Sequence, residues 1–196
     1  MVRLYWPVDL RPAFDALFAI DDAMADVVAK ASDPTLAAIK LAWWRERLER
    51  LDQDQVPAEP RLKAVAADLI PQGVTGSDLA TIEEGWATLL HQDPDPDVAL
   101  ERGSRLFALA ATLVGTVVSD SALLAGRLYA AGQLRRRGIE VADGLVETKF
   151  RGIPRYLRPL TGLAVLAQRD LTRREPEATP GRAFALLRHR WTGRIA

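Results

Sequence analysis

Ile39-Lys40-Leu41-Ala42-Trp43-Trp44-Arg45-Glu46-Arg47-Leu48 is the stretch on which the reading of this chain turns. It shows no alternation of apolar and polar residues. Leu36, Ile39, Trp43, Leu48 and Leu51 recur at helical spacing and form a broad apolar face, with Lys40, Arg47 and Arg50 on the outward side. Adjacent tryptophans on a helix point about 100° apart, so one enters the core while the other flanks it. Just upstream, Asp33-Pro34 is a start signal: Asp33 accepts from the orphan amides of the first turn, and Pro34 fits the first helical position. The buried tryptophan is expected to pack against the long apolar helix over residues 98–118.

The same period extends in both directions. Asp9 and Pro12 are start signals for a helix carrying Phe14, Leu17, Phe18, Ile20, Met24 and Val28. After a linker at 52–60, a short helix over 61–69 is broken by Pro71-Gln72-Gly73. Ser77 is the expected cap of the next, which holds Leu79, Ile82, Trp86, Leu89 and Leu90. The acidic loop Asp93-Pro94-Asp95-Pro96-Asp97 delays helix until Asp97 caps the segment 98–118, in which Gly103, Ala110, Ala111 and Gly115 allow close helix approach. A helix with Leu123, Leu124, Leu128, Ala131 and Leu134 ends at Gly138. A weaker helix is expected over 141–149, another from Pro154 and Pro159 to Leu171, and the last over 181–191. No strand pattern and no repeat occur, so the expectation is one all-α domain over residues 1–196, a helical bundle.

Composition narrows the chemistry. The 196 residues contain no cysteine and only two histidines, His91 and His189, which excludes disulfides, thiolate metal sites and a cysteine nucleophile. No apolar stretch reaches membrane-spanning length and no signal peptide is evident, so a cytoplasmic protein is expected. The net charge of zero hides an asymmetry: residues 1–126 carry 11 Lys and Arg against 20 Asp and Glu, and residues 127–196 carry 15 against 6. Either the two parts pair across a shared surface, or the basic part meets an anionic partner, such as a diphosphate, an acidic protein or a peripheral anionic membrane. Nucleic acid is not expected, because no recognised binding module is present.

Several strings in order carry a resemblance: Phe18-Ala19-Ile20 followed by acidic residues, Ser32-Asp33-Pro34, the double tryptophan with Arg45, and Gly85-Trp86. Gly103 with Leu106-Phe107, Ala125-Gly126, Gln133-Leu134-Arg135, and the ending from Pro180-Gly181-Arg182 to Gly193-Arg194 continue it. Over nearly its whole length the chain resembles the squalene/phytoene synthase family, as a divergent member shortened towards the C-terminus. That resemblance implies an isoprenoid synthase-like bundle around a cavity. In catalytic members, Asp-rich motifs on two facing helices bind magnesium and so hold two prenyl diphosphates, whose leaving groups need hard-oxygen metal ligation.

The motifs are incomplete here. Asp22 and Asp26 are four apart on one helical face and are the candidate metal ligands, with Asp21 beside them, but in the family register only Asp26 falls on a motif position. Asp15, Asp22 and Asp26 also form one stripe roughly opposite Leu17, Met24 and Val28, which reads as a solvated acidic face. Where the second motif is implied, Arg135-Arg136-Arg137 stand, which are unable to ligate a cation and are candidate diphosphate or anion-binding residues. Arg151, Arg155 and Arg158, near Phe150 and Tyr156, are a second candidate anion group or a solvated basic face. Trp43, Trp44 and Arg45 are the packing signature, and no catalytic residue is assigned.

The expected function is a non-catalytic scaffold, binding or assembly protein, since relatives lacking the aspartates include assembly factors for respiratory complex I. The alternatives are a magnesium-dependent prenyltransferase and an isoprenoid or lipid binder without turnover. Mg2+ is expected only in the enzymatic case, and an isoprenoid is a ligand in either alternative.

Overall fold

The computed structural model describes residues 2–53, 56–139, 153–173 and 175–195. Those residues form helices and turns without a β-strand. The α-helices are α1 (Arg11–Ala29), α2 (Pro34–Glu49), α3 (Pro60–Ala64), α4 (Gly76–Ala80), α5 (Ile82–Ala87), α6 (Pro96–Leu113), α7 (Asp120–Arg136), α8 (Arg158–Arg173) and α9 (Pro180–Thr192). A π-helical turn continues α3 over Val65–Leu69, and 3-10 turns occupy Val2–Tyr5, Val8–Leu10 and Arg155–Leu157, among others. The expected helix over 141–149 lies outside the described residues, as do Phe150 and Arg151.

Helices α5 to α9 pack each on the next in chain order, and α1 lies across α2, α3, α5 and α6. Phe14, Leu17, Ile20 and Met24 of α1 are fully buried with Leu41 and Leu48 of α2, Trp86 of α5, Leu106 and Phe107 of α6, and Leu128 of α7. Helices α6 and α7 cross backbone to backbone at two glycines. A Cβ on Gly103 would stand 2.0 Å from the Gly126 carbonyl oxygen, and one on Gly126 would stand 2.1 Å from that of Gly103. The expected close approach through small residues therefore occurs at Gly103. Gly115 instead ends α6 with a left-handed backbone, and Gly138 likewise follows α7.

Helix starts match the sequence signals in part. The Asp33 side chain accepts from Thr35 N at 2.8 Å and Leu36 N at 3.3 Å, with Pro34 in the first turn, as expected. Asp9 caps nothing; it sits in the turn Val8–Leu10, and α1 begins at Arg11 with Leu10 as its N-cap. Thr75 rather than Ser77 caps α4, because Ser77 already lies in the first turn and donates its hydroxyl to Asp52. Asp95 rather than Asp97 caps α6, since Pro96 is tolerated at the first helical position. That helix ends at Leu113, short of the expected residue 118.

Helix α2 corrects the sequence reading most. Its buried residues are Ala37, Leu41, Trp44 and Leu48, whereas Leu36, Ile39 and Trp43 are exposed. Trp44 is the tryptophan that enters the core, at 7% exposure, and Trp43 flanks it edge-on with ring centroids 5.2 Å apart. Their helix packs chiefly on α4 and α5, not on α6. Arg47 lies over the Trp43 ring at 5.7 Å, and Arg45 pairs with Glu83 of α5 at 3.4 Å.

Candidate functional site

Helix α1 carries Asp21 on its core stripe, four residues after Leu17 and three before Met24. A carboxylate in that position is stable only with donors from the opposing helices. Three supply them. Arg102 of α6, itself between Ala99 and Leu106 on a buried stripe, donates through Nη1 to Asp21 Oδ1 at 2.5 Å. Trp86 Nε1 of α5 donates to the same oxygen at 2.9 Å. Gln133 Nε2 of α7 donates to Asp21 Oδ2 at 3.0 Å. The side chains of Asp21 and Arg102 are both 0% exposed, and the guanidinium lies 3.9 Å above the Trp86 ring centroid. The aromatic face accounts for a cation whose Nε and Nη2 have no hydrogen-bond partner.

Asp22 is the next residue, turned about 100° round the helix to the edge of this hub. Its Oδ1 receives Arg137 Nη2 at 3.3 Å and shares the Gln133 amide at 3.3 Å. Desolvation, and then the charge of Asp21, hold its pKa above the ordinary carboxylate value against the pull of Arg137. Tyr129 lies half-buried beside the two aspartates; desolvation first and their charges second push its phenol well above its ordinary pKa. The phenol stays neutral, and Gln133 Nε2 lies 3.3 Å from its oxygen.

A cavity of about 480 Å³ opens beyond Asp22, lined by Asp22, Tyr129, Gln133, Arg137, Asp170 and Arg182 among others. Its far side is a second hub, in which Asp170 of α8 binds Arg136 Nε at 2.7 Å and forms a close ion pair with Arg182 of α9. Arg136 also reaches Glu177. The three consecutive arginines therefore diverge: Arg137 to Asp22, Arg136 to Asp170 and Glu177, and Arg135 to a neighbouring cavity of about 610 Å³ shared with Glu175 and Glu177.

Asp26, the other candidate ligand, points away from all of this. Its carboxylate is exposed and bonds Lys30 at 2.8 Å, and that hydrogen bond holds its pKa below the ordinary value. Asp15 is likewise partly exposed and paired with Arg3 at 2.7 Å, so the acidic stripe of α1 is a solvent-facing edge with Asp22 at its inner margin. The aspartates do not converge, and among the described residues no group of three or more His, Cys, Asp and Glu is placed to hold a metal ion. Each α1 carboxylate already has a cation within bonding distance.

His189, flanked by Arg188 and Arg190 in sequence, has both ring nitrogens engaged. It is 2% exposed, with Nε2 2.9 Å from Thr161 Oγ1 and Nδ1 2.9 Å from the Arg194 carbonyl. Burial lowers its pKa, so the neutral ring ties the C-terminus to α8. Arg102 belongs to none of the motifs quoted from the sequence. Its signal was a cation at core spacing, which calls for an equally buried anion. No family model matches this chain, and no curated protein and no solved structure matches it significantly.

Proposed function

We propose that this chain is a non-catalytic scaffold or assembly protein, a divergent relative of the squalene/phytoene synthases in which the site of metal-diphosphate chemistry has become structural. The observation that carries this reading is the set of partners around α1: Asp21 is held by Arg102, Asp22 by Arg137, and Asp26 by Lys30. Ionising a prenyl diphosphate requires several oxygen ligands on each magnesium and neutralisation of the leaving group. Here α7 and its C-cap present Gln133 and Arg137 to the carboxylates, and recruiting Asp21 to a metal would leave Arg102 buried without its counter-ion. The exposed stripe Leu36, Ile39 and Trp43 on α2 supports a binding role, because such apolar surface on a folded domain marks a contact site.

The test is incubation with radiolabelled farnesyl or geranylgeranyl diphosphate and magnesium, followed by extraction of hydrocarbon. No product is expected, and calorimetric titration with the same diphosphate should show no magnesium-dependent binding. Product formed by wild type and lost in Asp22→Ala or Asp26→Ala would overturn the proposal and restore the prenyltransferase alternative.

A further inference from the structure

Helix α9 has a buried face and, opposite it, an exposed apolar one. Arg182, Ala185, Leu186 and His189 are buried against the domain. On the opposite side Phe184, Leu187 and Trp191 recur at i, i+3 and i+7 and are exposed, Phe184 at 68% and Trp191 at 74%. At about 100° per residue these three span a narrow arc centred away from the core. The surroundings are cationic. Residues 178–196 contain no Asp or Glu, and among the described residues no carboxylate pairs with Arg155, Arg190 or Arg194. Beside the stripe, a cavity of about 630 Å³ is lined by Tyr5, Arg155, Arg158, Arg190 and Trp191. Arg190 lies over the Tyr5 ring at 5.0 Å, which holds its charge at the cavity rim. Leu4, next to Tyr5, is also exposed.

We propose that this face, with α9 lying flat, is a docking surface for an anionic lipid bilayer. Three features select that occupant. Trp, Phe and Leu on one arc are the side chains that partition into the boundary between headgroups and acyl chains. Arginines beside them, in a segment free of carboxylates, match the negative potential of an anionic leaflet. The basic cavity at the rim is lined by guanidinium groups suited to lipid phosphate. No described helix is long and apolar enough to cross a membrane, so the contact is peripheral. The proposal is independent of whether the interior has enzymatic activity.

The experiment is co-sedimentation of the full chain with vesicles of phosphatidylcholine alone or with 30% phosphatidylserine, at low and physiological salt. Tryptophan quenching by brominated lipid reports insertion. Two variants are compared: Phe184→Ser/Leu187→Ser/Trp191→Ser, and Arg155→Glu/Arg190→Glu. All five side chains are exposed, and a thermal melt identical to wild type confirms that each variant folds. Wild type should bind the anionic vesicles at low salt at least tenfold more tightly than neutral ones, weaken as screening shortens, and be quenched. Each variant should lose at least tenfold in partitioning. Absence of binding to anionic vesicles at low salt, equal binding to neutral vesicles, or wild-type binding by either folded variant would overturn the proposal. The first of these would leave a protein as the occupant of the stripe.

Discussion

Replacing Arg102 by Met removes the guanidinium that donates to the buried Asp21 carboxylate while keeping an unbranched chain over the Trp86 ring. The carboxylate then retains only two neutral donors, Trp86 Nε1 and Gln133 Nε2. Breaking a fully buried ion pair from one side costs about 3–5 kcal/mol, because the surviving charge keeps its desolvation penalty. A domain of ordinary stability has about 5–15 kcal/mol in total, so the variant should be near the limit of folding at 37 °C. Asp21→Asn should cost a similar amount by stranding Arg102. The double variant is expected to be far milder. The asparagine carbonyl introduced by Asp21→Asn still accepts from Trp86. Its amide can donate to Gln133 Oε1, which has no partner in the wild-type protein, once the Gln133 amide turns over. Urea unfolding of the four proteins should give a coupling energy of at least about 2 kcal/mol. Strict additivity, or an Arg102→Met variant within 1 kcal/mol (about the uncertainty of the extrapolation) of wild type, would refute the assignment of this pair as the electrostatic centre of the fold.

Trp44→Ala should lower stability by about 3–5 kcal/mol and Trp43→Ala by far less, since only Trp44 is buried; equal thermal midpoints for the two would contradict their placement. Gly126→Ala should be strongly destabilising, because its new methyl meets the Gly103 backbone and no side chain can move aside; chemical denaturation measures it, and a loss under 1 kcal/mol (about the effect of an ordinary surface change) would argue against the crossing. His189, neutral and buried with a depressed pKa, should make stability fall as pH drops from about 6.5 through its folded pKa, because the unfolded chain then binds the proton more tightly. Unfolding free energies between pH 7.5 and 5 should show that slope in wild type and a shallower one in His189→Gln.

The helical frame was legible because apolar residues recur with one period through most of the chain. The Asp33-Pro34 start and the Gly138 stop were legible because each residue type suits only one place at a helix end. The face of α2 was not. Leu36, Ile39 and Trp43 form one apolar stripe and Ala37, Leu41, Trp44 and Leu48 another, and periodicity alone does not choose between them. The cap of α6 was ambiguous because Asp95 and Asp97 both precede helical spacing; Pro96 decides it, being compatible with the first turn. At the site, i,i+4 spacing drew attention to Asp22 and Asp26, whereas burial singles out Asp21. Asp21 was readable as a charge within the Leu17–Met24 stripe, and Arg102 as one within the Ala99–Leu106 stripe. What local pattern does not hold is their pairing, which joins positions 81 apart in the chain and depends on α6 crossing α1.

The charge asymmetry connects the interior to the surface. If the basic part existed to neutralise the acidic part, ion pairs between them would be numerous. Among the described residues, Arg127 reaches Asp97 and Glu101, and Arg137 reaches Asp22. Arg136, Arg169 and Arg182 are satisfied instead by Asp170, Glu175 and Glu177 of their own part. The cross-connections thus sit on α7 and its C-cap, Arg127 at the surface against the start of α6 and Arg137 at the margin of the buried hub, while Arg155 and Arg190 line the cavity beside the exposed apolar stripe of α9. Internal pairing and an external partner are therefore not competing explanations of one charge excess. Arg136 and Arg137 are taken up by carboxylates around the interior cavity, whereas among the described residues Arg155 and Arg190 pair with no carboxylate and are the cations that the proposed bilayer contact uses. This separation makes the two readings experimentally independent: the Arg102 and Asp21 variants should alter unfolding without changing vesicle binding by folded protein, and the α9 variants should do the reverse.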